Sequence, residues 1–238
     1  MRTIQFPVLL IIILTGFLIS CEDNTPVSKQ PAATEATPGK DSLIGEQKSS
    51  FESLLNKYRT ISFDTLKVYY GFDENDKRFA GQELTFKEAK SLPIGFRERY
   101  FGKLSGVYAC YRFALDSTRL GLITRIPSEY ESSSLVLLVF DRIKDRFQDE
   151  YFYLGTSNGD AGEIYTRVSW LFQTKKKQFQ AFVYTYRSSH EIDDTLTTES
   201  HYYFLVDCMK PTFDSVSTNQ TQLKKRFKGL LRTEEEGI

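Results

Sequence analysis

The chain has 238 residues, which is enough for one folded domain or two small ones. Lysine plus arginine and aspartate plus glutamate each number 31, so the chain lacks the basic excess that drives nucleic-acid binding. Hydrophobic residues make up 40% and charged residues 26%, proportions that indicate a globular protein rather than a disordered one. The 14 tyrosines and 19 phenylalanines favour half-buried β-strands.

The first 20 residues have the parts of a secretory signal: a positive start, a short apolar core and a small residue before a cleavage point. Arg2 supplies the charge, and the apolar run from Val8 to Ile19 is too short to span a bilayer. The sequence Leu18-Ile19-Ser20-Cys21 resembles the lipobox of bacterial lipoproteins. The resemblance implies cleavage before Cys21 by signal peptidase II and a lipid anchor on the Cys21 thiol. A further acyl chain such as palmitate makes such an anchor stable.

Residues 21–48 are predicted to form a flexible tether behind this anchor. An acidic pair, Glu22 and Asp23, comes first. It is similar to the export signal of surface-displayed lipoproteins in some Gram-negative groups, whereas in others an acidic residue here favours the inner membrane. We expect the protein to be anchored in the outer membrane, and the sequence favours neither its periplasmic nor its external face. The stretch 22–45 is polar and contains three prolines, so it cannot bury enough surface to fold.

A single β-rich domain is predicted over residues 49–233, followed by a disordered tail at 234–238. Short helices are predicted at about 50–59 and 86–91, because capping-box pairs precede an apolar face. The capping pairs are Ser49 with Glu52 and Thr85 with Glu88. A last helix has apolar side chains on one face and basic ones on the other, and we favour packing on the sheet over binding to anionic lipid. Its apolar residues are Leu223, Phe227, Leu230 and Leu231, and its basic residues are Lys224, Lys225, Arg226 and Lys228.

Eight strands are predicted from two-residue alternation and turn signals. The first covers Leu66 to Phe72, and the others cover about 105–114, 118–126, 133–142, 146–154, 163–173, 178–188 and 197–208. Their short connections, without long helices, predict a mainly β fold: a single antiparallel meander sheet, sandwich or barrel-like, with short flanking helices near both termini. The run from Leu135 to Phe140 is apolar on both faces, which predicts a central strand covered on both sides. Residues 94–103 are either an irregular link or an edge strand.

Catalytic signatures are missing from the sequence. It contains no HExxH, CxxC, GxSxG, Walker or GxGxxG pattern, and its two histidines are His190 in a polar hairpin and His201 in a strand. We therefore predict a non-enzymatic protein with no catalytic residue. The 31 acidic residues leave a carboxylate-dependent hydrolase of envelope glycans as the alternative.

The glycine-rich segment from Gly155 to Glu163 is the candidate metal site. Oxygen atoms of Asn158, Asp160 and Glu163 could converge on calcium, whereas the same residues also suit an ordinary hairpin turn. The turn is the preferred interpretation, so no cofactor is expected and a calcium-stabilised surface module is the alternative.

The two remaining cysteines leave two interpretations open. Cys110 and Cys208 could form a disulfide in an oxidising compartment, or they could stay as buried thiols.

Three segments resemble uncharacterised envelope lipoproteins of Gram-negative bacteria, a resemblance that implies no activity. They are Thr124–Tyr130, Gly159–Gly162 and Ser169–Leu171. The sequence thus predicts a lipid-anchored envelope lipoprotein whose body is a binding or assembly module held off the membrane. Exposed tyrosine and arginine side chains would contact an envelope protein or a glycan.

Overall fold

The computed structural model describes residues 49–70, 77–100, 106–127, 134–160, 162–190 and 197–235, all within the compact unit Glu46–Ile238. The predicted signal peptide, Cys21 and the predicted tether lie outside these ranges. The helices are α1 (Glu52–Leu55), α2 (Phe86–Ala89), α3 (Ile94–Tyr100), α4 (Gln220–Arg226) and α5 (Lys228–Glu235). The strands are β1 (Arg59–Thr60), β2 (Thr65–Val68), β3 (Gln82–Glu83), β4 (Tyr108–Ala114), β5 (Arg119–Ile126), β6 (Ser134–Asp141), β7 (Arg146–Phe147), β8 (Phe152–Asp160), β9 (Glu163–Gln173), β10 (Phe179–His190), β11 (Thr197–Asp207) and β12 (Ser215–Ser217).

The described strands form one mixed sheet of twelve strands that does not close on itself. Its main order is β1-β4-β5-β6-β8-β9-β10-β11-β12, with β2 paired to β9, β3 to β4 and β7 to β6. The mainly β prediction is confirmed, but the prediction of about eight antiparallel strands was wrong. Strand β1 runs parallel to β4, three short strands were missed, and one predicted strand is in fact β7 and β8. Two- and three-residue strands are too short for an alternating pattern to reveal them.

Strand β8 links the two halves of the sheet. Its first part, from Phe152, pairs with β6, and its second part, up to Asp160, pairs with β9. Strand β2 pairs with the other end of β9, so that Gly155 faces the backbone of Tyr69. A Cβ atom added at Gly155 would lie 2.9 Å from the Tyr69 Cα atom. Glycine at this position therefore permits a close approach between chain segments, rather than the loop expected from the sequence.

A central hydrophobic cluster lies between the two halves of the sheet. Its buried side chains come from β4, β5 and β6 on one side and from β9, β10 and β11 on the other. Leu137 and Val183 represent the two sides, and both are fully buried. The sheet thus folds over one core, and each half has a second face directed outward.

The two outer faces are covered by helices. A second cluster joins α1, α2 and α3 to the outer face of β4–β6 and includes Leu138. A third cluster joins α4 and α5 to the outer face of β9–β11 and includes Phe182. Residues Leu135–Phe140 are all buried, with successive side chains alternating between the central and second clusters. The predicted central strand covered on both sides is therefore confirmed.

The helix predictions have mixed outcomes. Helix α2 begins with the predicted capping box, in which Thr85 and Glu88 bind each other's backbone N–H groups. Helix α1 is shorter than predicted and has no side-chain cap, because its N-cap position is Phe51 rather than Ser49. The Ser49 hydroxyl accepts a hydrogen bond from the Phe51 N–H group at 3.1 Å and donates one to Asp145, 2.5 Å away. The prediction of a link or edge strand after Pro93 was wrong, since Ile94–Tyr100 is helix α3.

The C-terminal helix is confirmed in its packing, although it is divided into α4 and α5. The side chain of Asn219 caps α4 by accepting a hydrogen bond from the backbone of Gln222. Helix α5 continues to Glu235, two residues into the predicted tail. Among the described residues, no helix combines the length and apolar composition needed to span a membrane.

Candidate functional site

Four strands extend past the central cluster, with only Tyr186 of the third cluster among their residues there, and form a surface that we call the ladder end. It consists of residues 157–160 of β8, 163–167 of β9, 185–190 of β10 and 197–202 of β11. Continuous antiparallel pairing fixes its register, with Tyr186 opposite both Thr166 and His201. Because side chains alternate along a strand, the ladder end has an outer face on the helix side and an inner face on the central-core side.

An aromatic row runs along the outer face towards the ladder end. The ring of Phe182 stacks on that of Phe227 with centroids 4.1 Å apart, and Tyr203 stacks on Tyr184 at 5.5 Å. His201 continues the row, with its ring 6.0 Å from Tyr184 and 5.3 Å from Tyr186. The row thus begins in the core beneath α4 and ends at an exposed histidine.

The polar tips of the row are joined by hydrogen bonds. The hydroxyl oxygen of Tyr184 lies 2.9 Å from Nδ1 of His201. The Tyr186 hydroxyl donates to Oε1 of Glu199 at 3.1 Å. Both tyrosine rings are buried, whereas His201 and Glu199 are exposed. This pattern gives the surface fixed hydrogen-bond donors and acceptors.

The inner face carries arginines and exposed aromatic surface. Arg187 pairs with Glu163 at 3.0 Å. Arg167 donates to the hydroxyl of Tyr165 at 3.2 Å. Tyr202 is 58% exposed on this face. Tyrosine and arginine are enriched among the residues that contribute most to binding at protein interfaces. Side chains that are already held in place lose little entropy when a partner binds.

The free edge of β11 adds backbone groups to this surface. The side chain of Gln220 binds the N–H and C=O groups of Tyr203, at 2.7 and 2.8 Å, as a neighbouring strand would. Strand β12 pairs with β11 from Leu205 onward. Backbone groups point to the same edge at every second residue, so those of His201, Glu199 and Thr197 face it as well. Within the described part of the chain, no strand pairs with this stretch of the edge.

The candidate calcium residues do not lie in a loop. Asn158 and Asp160 belong to β8, and Glu163 begins β9 directly after a tight turn in which Gly162 has φ of +89°. The Glu163 carboxylate binds Arg187 rather than facing an open site. Among the described residues, no group of three histidine, cysteine, aspartate or glutamate side chains is arranged to hold a metal ion.

The two histidines lie at different places in the ladder end. Nδ1 of His190 lies 3.2 Å from the hydroxyl oxygen of Thr197, across the β10–β11 pair. His201 bonds to Tyr184. The partners recorded for the two rings are thus one threonine and one tyrosine hydroxyl group.

The segment that begins at Thr124 does not join this surface. Thr124 is fully buried, and its hydroxyl oxygen lies 2.8 Å from that of Tyr58. Burial raises the pKa of the Tyr58 hydroxyl. Residues 128–133 lie outside the described part of the chain. Ser169 and Trp170 are also buried, so the described parts of two segments that resemble envelope lipoproteins lie in the core.

Both cysteines in the described part are free and buried in this structure, the arrangement of the buried-thiol interpretation. The Cys110 thiol donates to the carbonyl oxygen of Phe79 at 3.2 Å. Burial raises the pKa of the Cys110 thiol to about 12 and also raises that of the Cys208 thiol. Since the thiolate is the reactive form, both side chains should be inert in the folded protein.

Alkylation of the folded chain at neutral pH is expected to leave Cys110 and Cys208 unmodified. After unfolding in denaturant without reductant, both should react fully, because no disulfide has to be broken. Peptide mass spectrometry measures each cysteine separately from Cys21. Modification that appears only when reductant is added would contradict this expectation and show that the pair is oxidised.

Two cavities lie beside the C-terminal helices. One has a volume of about 450 Å³ and is lined by Asp64, Thr65, Phe172, Gln173, Phe227 and Leu230. The other, of about 440 Å³, is lined by Thr221, Lys224, Lys225, Lys228 and Leu231. Neither set of described lining residues contains the two facing carboxylates that glycoside hydrolysis requires.

Comparisons of the chain with protein-family models, with curated proteins and with solved structures gave no significant match. The ladder end was not identified as a unit from the sequence. The signal that could have found it is the alternation of Tyr184, Tyr186, His201 and Tyr203 on one face, which continues past the apolar part of both strands.

Proposed function

We propose that this chain is a lipoprotein of the bacterial cell envelope, lipidated on Cys21, whose folded body binds a partner through the ladder end. The lipobox-like sequence before Cys21 supports the anchor, and the polar stretch behind it supports display at a distance from an outer membrane. The observation that carries the binding role is the extension of β8–β11 past the core, with tyrosine, arginine and histidine side chains held at its surface.

A protein partner suits this surface better than a glycan does. Backbone groups at His201, Glu199 and Thr197 face an edge to which an extended segment of another protein can add as a strand. Exposed strand edges invite such pairing unless a bulge, a proline or a lysine blocks them. Residues 197–202 contain neither proline nor lysine, and the register shift between β11 and β12 lies further along, between Leu205 and Val206. The other part of the edge is already occupied by Gln220 and β12.

A second copy of the chain is a poorer partner for this edge. Antiparallel pairing of two copies centred on Glu199 would place the two Glu199 carboxylates opposite each other, which is unfavourable. A partner strand with lysine or arginine at that position would meet Glu199 favourably. The proposed role is therefore hetero-assembly in the envelope.

The anchor is tested by replacing its cysteine. Labelled palmitate should be incorporated into the native chain and not into Cys21→Ala, and only the native chain should fractionate with membranes. Labelling of both forms, or of neither, would contradict lipidation at Cys21.

The binding role is tested by cross-linking in intact envelopes, followed by purification of the full chain. A defined protein partner should be recovered with the native chain and strongly reduced for Tyr202→Ala combined with Glu199→Lys. Phe86→Ala is the matched control, because Phe86 is 50% exposed and lies on α2, away from the ladder end. Recovery of no specific protein, or equal recovery with all three chains, would contradict the proposal. Recovery of a glycan without any protein would contradict the protein partner and show that the ladder end binds a glycan.

A further inference from the structure

The outward side of α4 and α5 forms a groove with three lysines. Lys224, Lys225 and Lys228 line it together with Thr221 and Leu231, in a volume of about 440 Å³. These positions follow helical spacing, so their side chains lie on one side of the helix pair. The segment from Gln220 to Arg232 also contains Arg226 and Arg232 and has no acidic residue, and Glu234, Glu235 and Glu236 follow it. The groove itself is a local concentration of positive charge, because its lining has three lysines and no acidic residue.

The apolar side of the same helices is already used. Leu223, Phe227 and Leu231 are 2%, 8% and 1% exposed and belong to the cluster on the outer face of β9–β11. An amphipathic helix that inserts into a bilayer needs its apolar face for the lipid. Leu223, Phe227 and Leu231 are therefore already taken up by packing on the sheet, while Lys224, Lys225 and Lys228 are exposed.

We propose that the lysine groove binds the phosphate groups of anionic phospholipids at a membrane surface. Lysine ammonium groups are compact charges with three donors each, which suit phosphate oxygens, and clusters of them are attracted to anionic bilayers. Thr221 adds a hydroxyl donor at one end of the groove. Lys224 lies over the Tyr203 ring with its Nζ atom 6.0 Å from the centroid, so the groove adjoins the sheet.

The groove adjoins the near boundary of the ladder end, because Lys224 lies over the ring of Tyr203, the neighbour of Tyr202. The far tip of the ladder end is more distant: Phe227 stacks on Phe182, and His190 lies eight positions further along β10. At about 3.3 Å per residue this is roughly 26 Å. Binding of headgroups does not depend on lipidation of Cys21 or on a partner at the ladder end.

The test is a lysine footprint of the full chain mixed with vesicles. An amine-reactive label is applied with phosphatidylcholine vesicles and with vesicles that also contain phosphatidylglycerol. Labelling of Lys224, Lys225 and Lys228 should fall about threefold or more with phosphatidylglycerol only, and the fall should vanish at high salt. The internal control is the exposed pair Lys87 and Lys90 at α2, which packs on the outer face of β4–β6, and the labelling of this pair should not change. If another part of the chain also binds the vesicles, the difference in labelling between the groove lysines and the control lysines still reports on the groove.

Two variants and one competitor make the result decisive. The triple variant K224Q/K225Q/K228Q should lose its preference for phosphatidylglycerol, whereas K87Q/K90Q should keep it. Unchanged Trp170 fluorescence shows that either variant is folded. Equal protection of the groove lysines and the control lysines, or no protection of the groove, would overturn the proposal. Protection of the groove by inorganic phosphate with phosphatidylcholine vesicles would also overturn it, because the groove would then take the anion from solution.

Discussion

Replacing either Leu137 or Leu138 by alanine is expected to lower the free energy of unfolding by about 2–5 kcal/mol. Adjacent residues of a strand point to opposite faces, so in a sheet with one solvated face one of these changes would cost little. Here both side chains are fully buried. Leu137 packs between the halves of the sheet, and Leu138 packs under α1–α3.

Urea denaturation of the two variants checks this expectation. Ile143→Ala is the control, since Ile143 is 77% exposed in the turn between β6 and β7 and should change stability by at most about 0.5 kcal/mol. If Leu138→Ala left the free energy of unfolding nearly unchanged while Leu137→Ala lowered it, the helices would not cover the outer face. The comparison therefore tests the layered arrangement rather than the stability of β6 alone.

This central strand shows what the sequence could predict. Six consecutive apolar residues, Leu135–Phe140, have no polar face to direct to water, and that pattern alone indicates cover on both sides. The strands with clear alternation, such as β9, also appear with the predicted bounds. In both cases the side chains of the segment itself carry the information.

The elements that were missed depend on distant residues. Strand β3 has only Gln82 and Glu83, and it forms because it pairs with β4. The glycines and polar residues of 155–160 favour a turn locally, yet pairing with β9 draws them into β8. Serine, asparagine and aspartate are poor strand formers alone, and tertiary pairing overrides that preference.

The candidate surfaces could be predicted only in part. Exposed tyrosines and arginines were expected as contacts, and the basic side of the last helix was visible in the sequence. Two contacts depend on the register of β11. Tyr186 donates a hydrogen bond to Glu199, and Gln220 binds the backbone groups of Tyr203. Register is set by pairing across the sheet and cannot be read from one strand.

Phe182→Ala is expected to destabilise the protein by about 3–5 kcal/mol and to disturb the packing of both C-terminal helices. The Phe182 ring is fully buried and stacks on Phe227 of the helix region at 4.1 Å and on Trp170 at 5.5 Å. Its removal opens a cavity between β10 and the helices. Trp170 is the only tryptophan of the chain and is 3% exposed, so it reports on this site directly.

The measurement combines denaturation with Trp170 emission, which should shift to longer wavelength when water reaches the cavity. Phe182→Leu keeps part of the side-chain volume and should lower the free energy of unfolding less. Phe86→Ala removes an exposed ring and should change neither the stability nor the Trp170 emission. The same packing positions the lysine groove and Gln220, so Phe182→Ala should also weaken the lysine footprint without altering any lysine. If Phe182→Ala matched the native chain in stability and in Trp170 emission, α4 and α5 would not be held on the sheet by this ring. The position of the lysine groove and that of Gln220 on the β11 edge would then not depend on Phe182.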